Sequence, residues 1–110
     1  MSYTIENNNI VLTRGDTFCS KVDIYNCSGE PYIPTEDESV RFAMKRRYND
    51  IAPLLVIDIP INSLILIIES YMTKGLPCGR YVYDIQITRA NGYVDTFIAN
   101  GRIDLTEEVL

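Results

Sequence analysis

The stretch from Gly79 to Thr106, GRYVYDIQITRANGYVDTFIANGRIDLT, decides the fold. Tyr81, Tyr83, Ile85 and Ile87 alternate with Asp84, Gln86 and Thr88. Successive side chains of a strand point to opposite faces, so this pattern predicts a half-buried strand with one wet face. Two Ala-Asn-Gly triplets follow, at 90–92 and 99–101. Asn-Gly supplies two residues that tolerate positive φ, as a type I′ hairpin turn requires. With Asn91-Gly92 as a two-residue loop, Ile87 faces Thr96 and Ile85 faces Ile98. With Asn100-Gly101 as a second loop, Ile98 faces Ile103 and Thr96 faces Leu105. Ile85, Ile98 and Ile103 then share one face, and the reading is a three-stranded meander. The alternative is one long strand in which the second Asn-Gly forms a bulge.

The same period runs outward from there. Phe18, Val22 and Ile24 alternate with Lys21 and Asp23, and Val40, Phe42 and Met44 alternate with Arg41 and Lys45. Serine, glycine and proline mark 26–37 as a loop, 49–53 is a short break, and Pro60-Ile61-Asn62 separates 54–59 from 63–68. Ser63 to Ile68 is apolar on both faces. That predicts either a central strand covered twice or an outer face covered by another chain. Ser70 to Leu76 reads as one helical turn, capped by Ser70 and stopped by Gly75.

About seven or eight short strands with turn signals between them predict an all-β, immunoglobulin-like β-sandwich of antiparallel strands, with at most that one helical turn. There is no tryptophan, so immunoglobulin-like describes architecture only. The length of 110 residues fits a single domain, 1–110. Residues 1–9 form an N-terminal arm that packs on its own domain or swaps onto a neighbour.

Composition narrows the function. A net charge of −5 argues against a nucleic-acid surface, which needs clustered cations to neutralise phosphates. The run Lys45-Arg46-Arg47 reads as a solvated strand end, offset by Glu30, Glu36, Asp37 and Glu38. The apolar stretch 54–68 is broken by Asp58, Pro60, Asn62 and Ser63 and does not span a bilayer as one helix. The N-terminus carries no secretory pattern, so synthesis and folding in a cytoplasm are expected. Cys19, Cys27 and Cys78 are odd in number and match no zinc spacing, and they read as reduced, buried or half-buried thiols.

Little in the chain points to catalysis. Histidine is absent, so the commonest general base is missing. Asp84, Asp95 and Asp104 read as outward charges serving solubility and edge protection. No catalytic residue, cofactor or metal is predicted. Arg14-Gly15-Asp16 reads as turn chemistry rather than an adhesion signal. The residues that stand out are surplus apolar and tyrosine positions, where protein interfaces find their anchors. Ile65, Ile67, Tyr71, Tyr48 and Tyr3 are the candidate interface. A competing reading, a soluble carbohydrate- or ligand-binding sandwich, needs an exposed aromatic platform such as Tyr81, Tyr83 and Tyr93.

Three stretches carry a resemblance: NNIVLTRGDTF, VRFAMKRRYND and GRYVYDIQITRANGYVDTFIANGRIDLTEEV. They resemble small accessory structural proteins of bacteriophages and prophages of low-GC Gram-positive bacteria. The shared outline is an early turn at Leu12, Gly15, Asp16 and Thr17, then a strand with Phe42 and Lys45. Gly79, Tyr81, Tyr83, Asp84, Ile85 and Gln86 then lead into a glycine hairpin. A similar outline occurs in the N-terminal β-sandwich of upper baseplate proteins, which docks a receptor-binding apparatus onto the tail. The resemblance implies a non-enzymatic tail, baseplate or head accessory subunit. Such a subunit is made in a bacterial host's cytoplasm and built into the virion through other virion proteins or copies of itself. It implies no catalytic residue; the absence of nucleic-acid and membrane partners is expected from the charge and the broken apolar stretch.

Overall fold

A computed structural model describes residues 3–6, 8–25 and 28–108, with the backbone path alone at 3–6 and 97–100. Eight strands and one short helix follow in the order β1 (Tyr3–Glu6), β2 (Asn9–Thr13), β3 (Phe18–Lys21), β4 (Ser39–Lys45), β5 (Leu55–Ile59), β6 (Ile65–Ile68), α1 (Ser70–Lys74), β7 (Gly79–Thr88) and β8 (Val94–Thr106). They form two sheets of very unequal width. One has six strands in the order β1-β2-β8-β7-β4-β5, and the other pairs β3 with β6 alone. This is a small β-sandwich.

Period-two alternation sets the interior. β7 buries Tyr81, Tyr83, Ile85 and Ile87 and leaves the residues between them half-exposed. β4 buries Val40, Phe42 and Met44, and Phe42 pairs with Ile85 across the strands. The Phe42 and Tyr83 rings lie 5.4 Å apart. From the narrow sheet Phe18, Leu66 and Ile68 close the core, joined by Val22 and Ile24 in the extended run after β3. Burying these side chains is what drives the two faces together.

The β7–β8 hairpin departs from the sequence reading in two ways. Arg89 N–H bonds the Tyr93 carbonyl at 2.7 Å and Gly92 N–H bonds the Arg89 carbonyl at 2.9 Å. With Gly92 at φ 88°, the loop is three residues, Ala90 to Gly92, not two. A three-residue loop uses one positive-φ residue where type I′ needs two. Ile87 consequently stands opposite Asp95 rather than Thr96. A bulge then absorbs one residue of β8, and Ile85 meets Ile98 as the alternation requires. At the second Asn-Gly the chain does not turn. β8 runs on as one strand, with a second extra residue between Ile98 and Gly101, so the bulge is what occurs there.

Gly101 is required by its neighbour, not by its own dihedral angles. A Cβ on it would lie 2.5 Å from the Tyr83 ring. The ring rests on bare backbone, and its hydroxyl donates to the Asn8 carbonyl at 2.8 Å. Burial pushes the Tyr83 phenol up to about 12.

The strands are not all antiparallel. β2 pairs in parallel with β8, Asn9 to Thr13 beside Arg102 to Thr106. A parallel pair needs a long crossover, and here everything from β3 to β7 supplies it. β1 pairs antiparallel with β2 of the same chain, so Tyr3–Glu6 of the arm packs in cis. The helix starts at Ser70, not after it: Glu69 occupies the N-cap and makes no side-chain cap bond.

Candidate functional site

The interface residues expected from the sequence fall on separate surfaces. β6 reads exposed-buried-exposed-buried: Leu66 and Ile68 enter the core, while Ile65 and Ile67 point out with 36% and 40% of their surface exposed. β6 is neither central nor covered twice. Across the narrow sheet Ile67 pairs with Cys19 and Ile65 with Lys21, so these four share its outer face. Tyr71 is exposed on α1. Tyr48 belongs to the opposite side of the sandwich. There it lines a depression of about 160 Å³ on the outer face of the wide sheet, with Ala43, Lys45, Val82 and Asp84. Val56, the register partner of Ala43, is also exposed there. The side chain of Tyr3 lies outside the described residues, as does Cys27.

Other expectations drawn from the sequence need correction. Cys19 is exposed rather than buried or half-buried, whereas Cys78 is half-buried as expected. Asp104 does not guard an edge, because β8 is paired there with both β2 and β7, whereas Asp95 sits on the stretch of β8 that the β2 pairing does not reach. Each carboxylate pairs with an arginine of the neighbouring segment, Arg89 at 3.1 Å and Arg80 at 3.2 Å. Tyr81 and Tyr83 are core residues and cannot form a platform with the exposed Tyr93. Among the described residues no group of three or more Cys, Asp or Glu is placed to hold a metal ion.

The Arg-Gly-Asp tripeptide sits in a pinned turn. Asp16 N–H bonds the Thr13 carbonyl at 3.1 Å, and Gly15 has φ 85°, as the third residue of a type II turn requires. Gly15 N–H donates to the Thr73 hydroxyl at 2.9 Å. Arg14 reaches the Leu76 carbonyl at 3.2 Å and the Glu108 carboxylate at 3.3 Å. The tripeptide thus ties the β2–β3 corner to α1 and the segment after β8. A half-buried arginine already engaged by two partners is not presented to a receptor.

A second polar cluster has no counterpart in the sequence reading. Glu38 is buried and accepts three hydrogen bonds: Tyr32 Oη at 2.6 Å, Thr35 N–H at 2.9 Å and Arg89 Nη1 at 3.1 Å. The Tyr32 hydroxyl first, then the Thr35 amide and Arg89, hold its carboxyl below the ordinary value of 4.5, against the opposing effect of burial. Arg89 stacks over the Tyr32 ring at 4.6 Å. The cluster fastens the 31–38 loop to the β7–β8 hairpin. Its only signal in the sequence is an acid at a loop end, which reads as a surface counter-charge to Lys45-Arg46-Arg47. Arg46 instead packs over the Tyr81 ring at 4.7 Å.

Among the described residues no helix is long and apolar enough to cross a membrane. No protein-family model matches this chain, and neither does any curated protein.

Proposed function

We propose that this chain is a non-enzymatic assembly subunit of a bacteriophage or prophage particle, a tail, baseplate or head accessory protein that works by protein–protein association. The observation that carries the reading is the outer face of β6. Two isoleucines stand there side by side on one face, partly exposed, on the outside of a sheet only two strands wide. Exposed apolar pairs of this kind gain from being covered. The motif residues of the phage resemblance support the reading through the framework. Leu12, Phe42, Tyr81, Tyr83 and Ile85 are core residues, and Gly15 sits in the pinned turn. The likeness is therefore one of sandwich construction, and the partner surfaces are this chain's own.

Two measurements test this. Gradient-purified particles from the bacterial host, analysed by mass spectrometry, are expected to contain the chain in fixed ratio to other virion proteins; its absence overturns the particle role. Light scattering after size exclusion, over a concentration series, is expected to show association that Ile65→Lys with Ile67→Lys abolishes. A wild type that stays monomeric and elutes like the double variant removes self-association through this face.

A further inference from the structure

The narrow sheet has an open flank whose geometry specifies what can fill it. After β3 the chain stays extended to Tyr25, burying Val22 and Ile24 and exposing Lys21, Asp23 and Tyr25. Val22 N–H bonds the Leu64 carbonyl at 2.7 Å, and the Ile24 carbonyl accepts Tyr32 N–H at 2.8 Å. Backbone groups of successive strand residues point to opposite edges. The even-numbered residues therefore face β6 and the 31–32 segment. The N–H and C=O groups of Lys21, Asp23 and Tyr25 face the other way. Tyr25 stands opposite Pro31, but the bond of that pair comes from Ile24, so its own groups still point outward. Among the described residues no backbone bond reaches Lys21, Asp23 or Tyr25 from that side. The edge looks onto a cleft of about 290 Å³, with Val22 on one wall and Ile10 of β2 and Ile85 of β7 on the other.

We propose that the edge from Lys21 to Tyr25 receives an extended segment of a partner protein as a third, antiparallel strand of the narrow sheet. This inference rests on the reading of the chain as an assembly subunit, but it uses a surface separate from Ile65 and Ile67. A row of strand-spaced amides and carbonyls is complemented by the backbone of another strand. Charge sets the partner's sequence. An antiparallel strand places a carboxylate opposite Lys21 and a cation opposite Asp23, so its order is cation, one residue, carboxylate. The residues between and beside them stand next to Val22 and Ile24 on the inner face, point into the cleft toward Ile10 and Ile85, and are apolar.

A second copy offering its own β3 edge also matches the charges, since Lys21 of each would meet Asp23 of the other about a two-fold axis at Val22. Antiparallel edge pairing sets that axis perpendicular to the sheet. Both wide sheets would then fall in one layer, and β2 already lies in that layer beside the cleft. The occupant is therefore a single strand rather than a whole second sandwich edge.

The probe is the capped peptide Thr-Val-Lys-Val-Glu-Val-Thr, titrated into the isotope-labelled full chain. The control is the order-swapped Thr-Val-Glu-Val-Lys-Val-Thr. Amide shifts are expected at Lys21, Asp23 and Tyr25, with slowed hydrogen exchange there. The swapped peptide is expected to bind roughly three- to tenfold more weakly, the scale of two reversed cross-strand charge pairs. In the variant Lys21→Glu with Asp23→Lys, both at exposed positions, the preference inverts. No shift up to about 1 mM peptide, shifts confined to other amides, or a preference indifferent to the charge swap overturns the proposal. If the peptide fails while the chain is present in purified particles, this edge is lost and the assembly reading stands. If the peptide binds as expected and the chain is absent from particles, the edge stands and the particle role is lost.

Discussion

β7–β8 and β3–β6 are both antiparallel pairs, yet they differ in almost every physical respect. β7 and β8 run for 10 and 13 residues in the interior of the wide sheet. They carry two bulges, and a glycine accommodates an aromatic ring between them. β3 and β6 are four residues each, make up their sheet alone, and leave isoleucine on the outside and backbone groups on a flank. A long pair bonded to further strands over much of its length, β7 to β4 at 82–88 and β8 to β2 at 102–106, resists change because substitutions there disturb two neighbours. A short pair with an open edge is where new contacts can be made at little cost to the fold. Stability is concentrated in the first region, and the proposed association uses the second.

That contrast can be broken by mutation. Phe42→Ala, on β4 beside β7 and fully buried, is expected to lower stability in urea unfolding by about 3–5 kcal/mol, through lost burial and an unfilled cavity. Gly101→Ala is expected to lower it by about 1–3 kcal/mol, since the new Cβ drives the Tyr83 ring from its place. A neutral outcome for Gly101→Ala would mean that the β8 bulge yields easily and that the wide sheet is soft at its centre.

Glu38→Gln tests the fastening between the 31–38 loop and the hairpin. Glutamine keeps an acceptor for Tyr32 and Thr35 but turns an N–H₂ group toward Arg89, and a loss of about 1–2 kcal/mol is expected. The pH dependence has a definite sign. The folded carboxyl titrates below its ordinary value of 4.5. Its contribution is therefore present above that value and is lost as pH falls through the lower, folded one. The gap between wild type and variant should close on acidification below about pH 4.5, measured by thermal unfolding across a pH series.

The smallest stability effect belongs to the narrow sheet. Ile65→Thr and Ile67→Thr should each change unfolding free energy by no more than about 0.5 kcal/mol, while weakening any association measured by light scattering. A large stability loss at either would show that β6 is a core strand on both faces, and the contrast would collapse.

The same contrast governs what is legible in the sequence. β4 and β7 are legible because their alternation is strict and local, and local pattern is what a sequence displays. The hairpin is legible in place but not in loop length. Asn91-Gly92 suits more than one turn, and the choice is settled by where Ile85 must meet Ile98. The parallel β2–β8 pair is invisible, since nothing near Asn9 refers to Arg102. Glu38 reads as a surface acid because Arg89, which engages it, lies 51 residues on. Ile65 and Ile67 are legible as surplus apolar residues. That they and Tyr48 lie on opposite sides of the sandwich is apparent only from the sheet layout.

The parallel pairing of β2 with β8 also sets an order in time. During synthesis β2 leaves the ribosome well before its interior neighbour in the sheet, with β3 to β7 emerging between them. Until then Ile10 and Leu12 lack the Ile103 and Leu105 strand that lies beside them in the finished sheet. Such distant pairing slows folding and lengthens the interval in which a nascent chain can be captured by other proteins. For this chain the wide sheet closes only after the narrow one has emerged whole, and crowding by sister chains on the same message is the hazard its folding must outrun.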